Sequence, residues 1–253
     1  ERKREILNLK GLRLAADSQP FDLSFYENEI VSITGLIGSG KTTLASQIFG
    51  LSPSSKVKMT LNGNAYKPKS PKDAIAAGVF MCPKDRASNA VISEFDISNN
   101  LAIPFFKKHS SMSFLRSKSL TQNAKNSIDE LGIICQSEMD SVTTLSGGNQ
   151  QKVMVGRWLA EESFVLLLDE PFQGVDIKAR RDIGLQIRST SGKRATLIFV
   201  AELDEALEIA DRVIVLHEGN LVGEYQNKSK NIPEIVSSFS GSAYKQDSSN
   251  YGT

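Results

Sequence analysis

Two stretches of this 253-residue chain carry residue types that could handle a polyphosphate. Gly35-Leu36-Ile37-Gly38-Ser39-Gly40-Lys41-Thr42-Thr43 has the spacing G-x-x-x-x-G-K-[ST]. Its glycines let the backbone curl with N–H groups pointing inward, a nest for phosphate oxygens. A helix starting near Lys41 aims its positive end at the same oxygens. In such a loop Lys41 reaches the β- and γ-phosphates as a point charge and the Thr42 hydroxyl ligates Mg2+. The plain alternative is a Gly-rich turn that holds nothing. The second stretch, Phe164-Val165-Leu166-Leu167-Leu168-Asp169-Glu170, is an apolar strand ending in two carboxylates. Carboxylates at the C-terminal end of a strand lie where open α/β sheets bind ligands. Asp169 is expected to hold Mg2+, directly or through water, and Glu170 to orient or deprotonate an attacking water. The alternative is that the pair caps a helix at 177.

A third stretch, Leu145-Ser146-Gly147-Gly148-Asn149-Gln150-Gln151-Lys152, precedes a helix and repeats the anion-binding design of free backbone N–H groups at a helix start. Its alternative is a simple N-cap at Asn149. Two phosphate-binding devices in one chain suggest that the second serves a nucleotide held by another subunit.

The elements that must position these groups are legible in the hydrophobic pattern. Residues 5–34 alternate by twos and read as short strands, with turns at Asp17–Pro20 and Glu27–Glu29. Residues 40–50 read as a helix stopped by Gly50, and Asn62-Gly63 marks a hairpin within 57–66. A short helix from 74 runs through Gly78 into the strand Val79-Phe80-Met81. Residues 85–145 are rich in Ser, Asn and Lys, with helical patches at 97–106 and 120–131, and read as a helical insertion. Helices at 149–161, 177–189 and 203–210 then alternate with strands at 164–168, 195–200 and 212–216, which implies a buried parallel sheet. Residues 226–253 read as a polar, mobile tail.

Composition bounds the function. Hydrophobic residues are 40% and charged residues 23%, an ordinary globular composition. Lys+Arg 30 against Asp+Glu 29 leaves a net charge of +1, so no broad basic field argues for nucleic acid. Cys82 and Cys135 sit in no CxxC or Cys/His cluster, which argues against zinc and for a reducing compartment. No apolar run approaches the ~20 residues of a membrane helix. The chain starts without Met and reads as a cut from a longer polypeptide.

Together the motifs resemble the nucleotide-binding domains of ATP-binding cassette (ABC) transporters over about residues 5–225. They match the Walker A loop at 35–43, the signature at 145–152, the Walker B strand at 164–170 and the D-loop Gly174-Val175-Asp176. The full signature stretch, Arg157-Trp158-Leu159-Ala160 and Cys82-Pro83-Lys84-Asp85-Arg86 further resemble the second, C-terminal ATPase domain of bacterial ribose/galactose-type sugar importers. The resemblance implies an α/β fold: a P-loop NTPase (RecA-like) core with a parallel sheet, an N-terminal antiparallel β subdomain and an inserted α-helical subdomain. The expected division is 1–95 for the β subdomain and first part of the core, 96–150 for the helical signature subdomain, 151–226 for the second part of the core and 227–253 for the tail. It implies an ATPase that takes ATP and Mg2+. The site residues carried over are Gly35, Leu36, Ile37, Gly38, Ser39, Gly40, Lys41, Thr42, Thr43, Asp169 and Glu170, with Ser146, Gly147, Gly148 and Gln150 completing a partner's site. The implied partners are a second cassette domain (the N-terminal half of the same polypeptide), membrane permease subunits and, indirectly, a solute-binding protein, without nucleic acid. The implied place is the cytoplasmic face of the cell membrane, held peripherally. Residues 84–115, including Ile103-Pro104-Phe105-Phe106, are expected to dock a permease coupling helix.

Three features depart from the general cassette pattern. Lys84 stands where a Gln contacts Mg2+ and water, Ala201 where a His contacts the γ-phosphate, and Leu12 and Leu14 where an aromatic stacks on adenine. These departures point to slow hydrolysis, or to a non-hydrolysing regulatory half that supports a partner ATPase. A ribosome- or DNA-acting cassette is disfavoured by the near-neutral charge. A P-loop kinase or GTPase is disfavoured by the signature and by the lack of an Asn-Lys-x-Asp motif.

Overall fold

A computed structural model describes residues 3–52, 56–84, 91–105, 110–111, 114–115 and 117–249, with the backbone alone at 110–119 and 242–249. Asp85, Arg86, Phe106 and His109 lie outside the described residues. In chain order the elements are β1 (Glu5–Leu12), β2 (Phe21–Tyr26), β3 (Glu29–Thr34), α1 (Lys41–Ile48), β4 (Lys58–Leu61), β5 (Asn64–Tyr66), α2 (Pro71–Ala76) and β6 (Val79–Cys82). Then come α3 (Ile97–Ala102), a 3-10 turn at Ile103–Phe105, a short ribbon of β7 (Ser110–Ser111) and β8 (Phe114–Leu115), α4 (Ser117–Leu131) and α5 (Gly147–Leu159). Last are β9 (Val165–Asp169), α6 (Ile177–Ser189), β10 (Ala195–Val200), α7 (Leu203–Ile209), β11 (Arg212–His217), β12 (Asn220–Gln226) and α8 (Ile232–Ser249).

The chain divides into two compact units, one of residues 1–81, 163–170 and 191–253, the other of 82–162 and 171–190. The first is built on strands. An antiparallel sheet runs β2-β1-β4-β5, and a six-stranded sheet runs β12-β11-β3-β10-β9-β6. In the larger sheet β3 pairs in parallel with β10 and β11, and β10 with β9. β3, β9 and β10 are buried at every position, as strands covered on both faces must be, which is why they read as unbroken apolar runs. One core joins the sheets: Leu7, Leu9 and Phe25 of the small sheet, Leu44 and Ile48 of α1, and Val31, Leu167, Leu197 and Ile214 of the large sheet. In the second unit α3, α4 and α5 enclose Ile97, Leu101, Ala124, Leu131 and Val153.

Two features differ from the sequence reading. An antiparallel strand, β12, follows β11, so the large sheet is mixed rather than wholly parallel. The connecting turn has positive φ at Glu218 (48°) and Gly219 (77°), the same conformation that Asn62 and Gly63 adopt (51° and 78°). Asn at the first position announces such a turn in a sequence; Glu does not. The segment read as a polar, mobile tail contains α8. Ile235 is fully buried and Ser238 Oγ lies 2.6 Å from the Tyr225 hydroxyl, contacts that seat this Ser-rich helix.

At the end of the large sheet away from the glycine loop, Arg212 makes a fork to Glu29 (Nη2–Oε2 2.8 Å, Nε–Oε1 3.0 Å), donates to Ser24 O at 2.7 Å and pairs with Glu224. Its guanidinium lies 5.6 Å from the Phe25 ring and 5.9 Å from that of Tyr26. Burial pulls the Arg212 pKa down, but the bonds and charges of Glu29 and Glu224 outweigh it and hold the group above its ordinary value. Removing one partner strands the other in low dielectric. Arg212→Ala is therefore expected to cost about 3–5 kcal/mol by urea unfolding, and the double change Arg212→Met with Glu29→Leu to recover most of it. A double variant no more stable than Arg212→Ala would contradict this account.

Candidate functional site

The strand-built unit places the first motif at the carboxyl end of β3. Gly35–Gly40 form the loop and α1 begins at Lys41, with Gly40 at its N-cap. Gly35 has φ +153° and a Cβ there would lie 2.2 Å from Leu216 O, so the loop presses directly on the end of β11. Gly40 has φ +102° and a Cβ would meet Leu14 Cβ at 2.9 Å. The turn after β11 closes over the loop, with Gly219 N donating to Ser39 O at 3.0 Å. Lys41 Nζ donates to Gly35 O, folding the ammonium back across the loop. Thr42 is exposed and Thr43 half-buried on the first turn of α1, and Ile37 at the tip is 94% exposed. Ser39 is buried, and its hydroxyl has no hydrogen-bond partner among the described residues.

The parallel register brings the carboxylates to the same edge of the sheet. Thr34 pairs with Val200 of β10, and Asp169 of β9 with the preceding Phe199. β3 and β9 flank β10, so the loop and Asp169 are two strand spacings apart, about 10 Å. Asp169 and Glu170 are each 9% exposed. Glu170 has φ +49°, a left-handed conformation that costs a non-glycine residue about 1–2 kcal/mol. Strain of this kind concentrates where a side chain must be aimed. Its N–H donates to Phe199 O at 2.8 Å, and its Oε2 accepts from the Ala201 N–H at 3.3 Å. The cap of α6 is Asp176, whose Oδ1 accepts from Ala179 N at 2.7 Å, so Asp169 and Glu170 do not serve as that cap.

The second unit carries the Ser-Gly-Gly stretch. The N-cap is Ser146 rather than Asn149, and α5 starts at Gly147. Ser146 Oγ accepts from Asn149 N at 3.4 Å and Nδ2 at 3.0 Å. Ser146 and Gly147 are exposed, and Gln150 is held by its Nε2 bond to Leu145 O at 3.1 Å. A Cβ on Gly148 would sit 3.3 Å from Ala179 Cβ, so this glycine lets α5 approach α6. Lys152 is buried against Asp182 at 2.7 Å and is not part of the exposed helix start.

At the departing positions, Lys84 is exposed just beyond β6. Ala201 offers no side-chain donor, yet its backbone N–H reaches Glu170. Leu12 and Leu14 are buried in the core and present no stacking face. The residues absent from the sequence reading are Leu216 and Gly219, which buttress the loop; a glycine at 219 between two alternating segments was the one local signal of a turn there.

In the first unit, backbone N–H groups, an ammonium, a hydroxyl and two carboxylates meet at one edge, a donor set that suits polyphosphate and a hard divalent cation. Among the described residues no three His, Cys, Asp or Glu side chains gather into a metal cluster.

The family described as ABC transporter matches residues 18–173. The chain is 33% identical over 237 residues to the ribose import ATP-binding protein RbsA 2 of Rubrobacter xylanophilus, covering 93% of this chain and 46% of that protein. It is 34% identical to the galactose/methyl galactoside import ATP-binding protein MglA of Fusobacterium nucleatum, with 92% and 48% covered. It is also 34% identical to the arabinose import ATP-binding protein AraG of Pectobacterium atrosepticum, with 91% and 46% covered. The chain thus spans about half the length of these relatives. In fold it is similar to a nucleotide-free ATP-binding cassette from an ABC transporter (TM-score 0.78, 20% identity, 92% and 95% covered). It is likewise similar to a bacterial ABC transporter cassette solved as a dimer (TM-score 0.74, 19% identity, 88% and 100% covered).

The loop geometry separates its glycines. Gly35→Ala forces a Cβ onto a backbone oxygen and is expected to lower stability by about 2–4 kcal/mol. At Gly38, where a Cβ would meet nothing within 4 Å, Ala should cost only about 1 kcal/mol, from its φ of +83°. Urea midpoints of the two variants check this, and equal shifts would contradict the close approach at Leu216.

Proposed function

Because the chain belongs to the ABC transporter family, close to the ATP-binding subunits of ribose, galactose and arabinose importers, we propose that it is the ATP-binding and ATP-hydrolysing cassette of a sugar-type importer. The observation that carries this reading is the meeting of the glycine loop with a left-handed Glu170 at the carboxyl ends of β3, β9 and β10. In this reading Lys41 and the backbone of Gly35–Gly40 bind the triphosphate. Thr42 and Asp169 hold Mg2+, which when bound neutralises phosphate charge. Glu170 accepts the proton of the attacking water, with its carboxylate oriented by the Ala201 N–H. Ser146, Gly147, Gly148 and Gln150 complete the site of a second cassette. Relatives about twice the length of this chain, and a neighbour solved as a dimer, support a second cassette in the same polypeptide.

Among the described residues no helix is long and apolar enough to cross a membrane. In the proposed reading the cassette works on permease subunits from the cytoplasmic face, as a peripheral part. Residues 96–150 form its signature subdomain, and 84–115 dock the permease. Closing and reopening of the paired cassettes drives the permease between its two accessible states.

Hydrolysis in this site is slow. Lys84 is a cation and cannot ligate Mg2+, and Ala201 brings no side-chain donor. Losing one positioned polar group costs about 10²–10³ in rate. The same two positions favour a second reading, a half that binds ATP without cleaving it; single-turnover hydrolysis by the paired cassettes separates the two. In the assembled transporter, Glu170→Gln should reduce turnover by less than about tenfold, because most flux passes through the other cassette. A near-total loss with the other half unaltered would rule out the slow site. Crosslinks from the permease should fall within 84–115; crosslinks that consistently avoid the segment would reject the docking assignment.

A further inference from the structure

The second unit buries a cation whose hydrogen-bond acceptors, among the described residues, are neutral. Arg157, near the end of α5, is 5% exposed. Its acceptors are two oxygens of one residue: Nε donates to Asn100 O at 2.6 Å and Nη2 to Asn100 Oδ1 at 3.2 Å. Burial lowers the Arg157 pKa from its ordinary value, with Cys82 opposing that shift. Desolvating a guanidinium is costly, and an apolar side chain of similar volume often packs as well or better. Packing alone therefore gives a poor account of an arginine here.

Asn100 is itself a hub. It is fully buried; its Oδ1 also accepts from Ile92 N at 2.9 Å, and its Nδ2 faces Ile92 O, Phe95 O and Asp96 O at 3.0–3.1 Å. The residue after Arg157 grips the same segment further along, where Trp158 meets Phe105 edge-on with ring centroids 5.9 Å apart. The segment is also tied to the chain entering the signature. Ile97 N donates to Asp140 O at 3.0 Å, Ser98 N to Glu138 O at 2.9 Å, and Asp96 bridges Ser141. Residues 92–105 are thus fastened on both sides of Ser146, to the turn at 138–141 before it and to the helix after it.

We propose that Arg157 is a positioning residue that, through Asn100, locks segment 92–105 to the signature helix so that a displacement of either moves the other. The planar fork fixes the angle between them, which a lysine ammonium cannot do. Hydrogen-bonded networks between rigid elements carry coupling of this sort. The inference rests on the reading in which 84–115 docks the permease and Ser146–Gly148 complete the partner's site.

The test uses the full-length polypeptide, alone and assembled with its permease in proteoliposomes. The quantity read is the ratio of ATP hydrolysis with the permease to hydrolysis without it. Arg157→Lys is expected to cut that ratio about tenfold while the permease-free rate stays near wild type. Hydrogen exchange at amides 92–100 should rise in the same variant, with α5 still protected. Should Lys leave the fold unstable, Arg157→Met, which removes the buried charge, gives the same reading. An unchanged ratio, or permease-free and permease-stimulated rates that fall in proportion, would overturn the proposal and leave Arg157 a packing residue. A wild type that shows no stimulation would instead sink the docking assignment, and the inference with it.

Discussion

β3 is hydrogen-bonded along both edges, to β10 on one side and β11 on the other, and the strand-built unit depends on that double pairing. It sets Thr34, Val200 and Val215 at one level, so the chain leaves three neighbouring strands at the same edge. The glycine loop, Ala201 and the turn before β12 all follow from that level, and Asp169 joins through the next pairing. The register also explains Gly35. With Leu216 O at the end of the neighbouring strand, the chain can turn only where no Cβ intervenes. A one-residue slip of β11 would exchange the buried and opposite faces of that strand and remove the contact.

The two units bury cations in opposite ways. Arg212 is compensated by Glu29 and Glu224 and stacked on aromatic rings, at the end of the sheet away from the loop. It joins β2, β3, β11 and β12, and its charge is neutralised where it stands. Arg157 has neutral acceptors on one residue and joins α5 to α3. The first arrangement resists unfolding; the second keeps a defined angle between two pieces of chain. The Glu170 carboxylate shows the same economy, held by a backbone N–H at a position where the family pattern expects a side chain.

The glycine loop, the apolar strand before Asp169 and the Asn62-Gly63 hairpin were legible because each is a local rule: spacing, uniform burial or positive φ at favoured residues. β12 was not, because Glu218 adopts the left-handed turn without the residue type that signals it. α8 was not, because a Ser-rich stretch shows little periodicity, and the burial of Ile235 appears only in the folded structure. The cap of α5 lies three residues before Asn149, since Ser146 supplies the side-chain acceptor and the glycines are already helical.

By itself the order of residues determined which groups exist for polyphosphate chemistry, and that a buried parallel sheet would carry them, since both are consequences of short-range spacing. Tertiary structure alone decided that Leu216 presses on Gly35, that Ala201 lends its amide to Glu170, and that Arg157 and Asn100, 57 residues apart, share one fork. Those relations come from strand register and helix packing between distant segments, and no local propensity encodes the distance between two side chains that meet only once the core has closed.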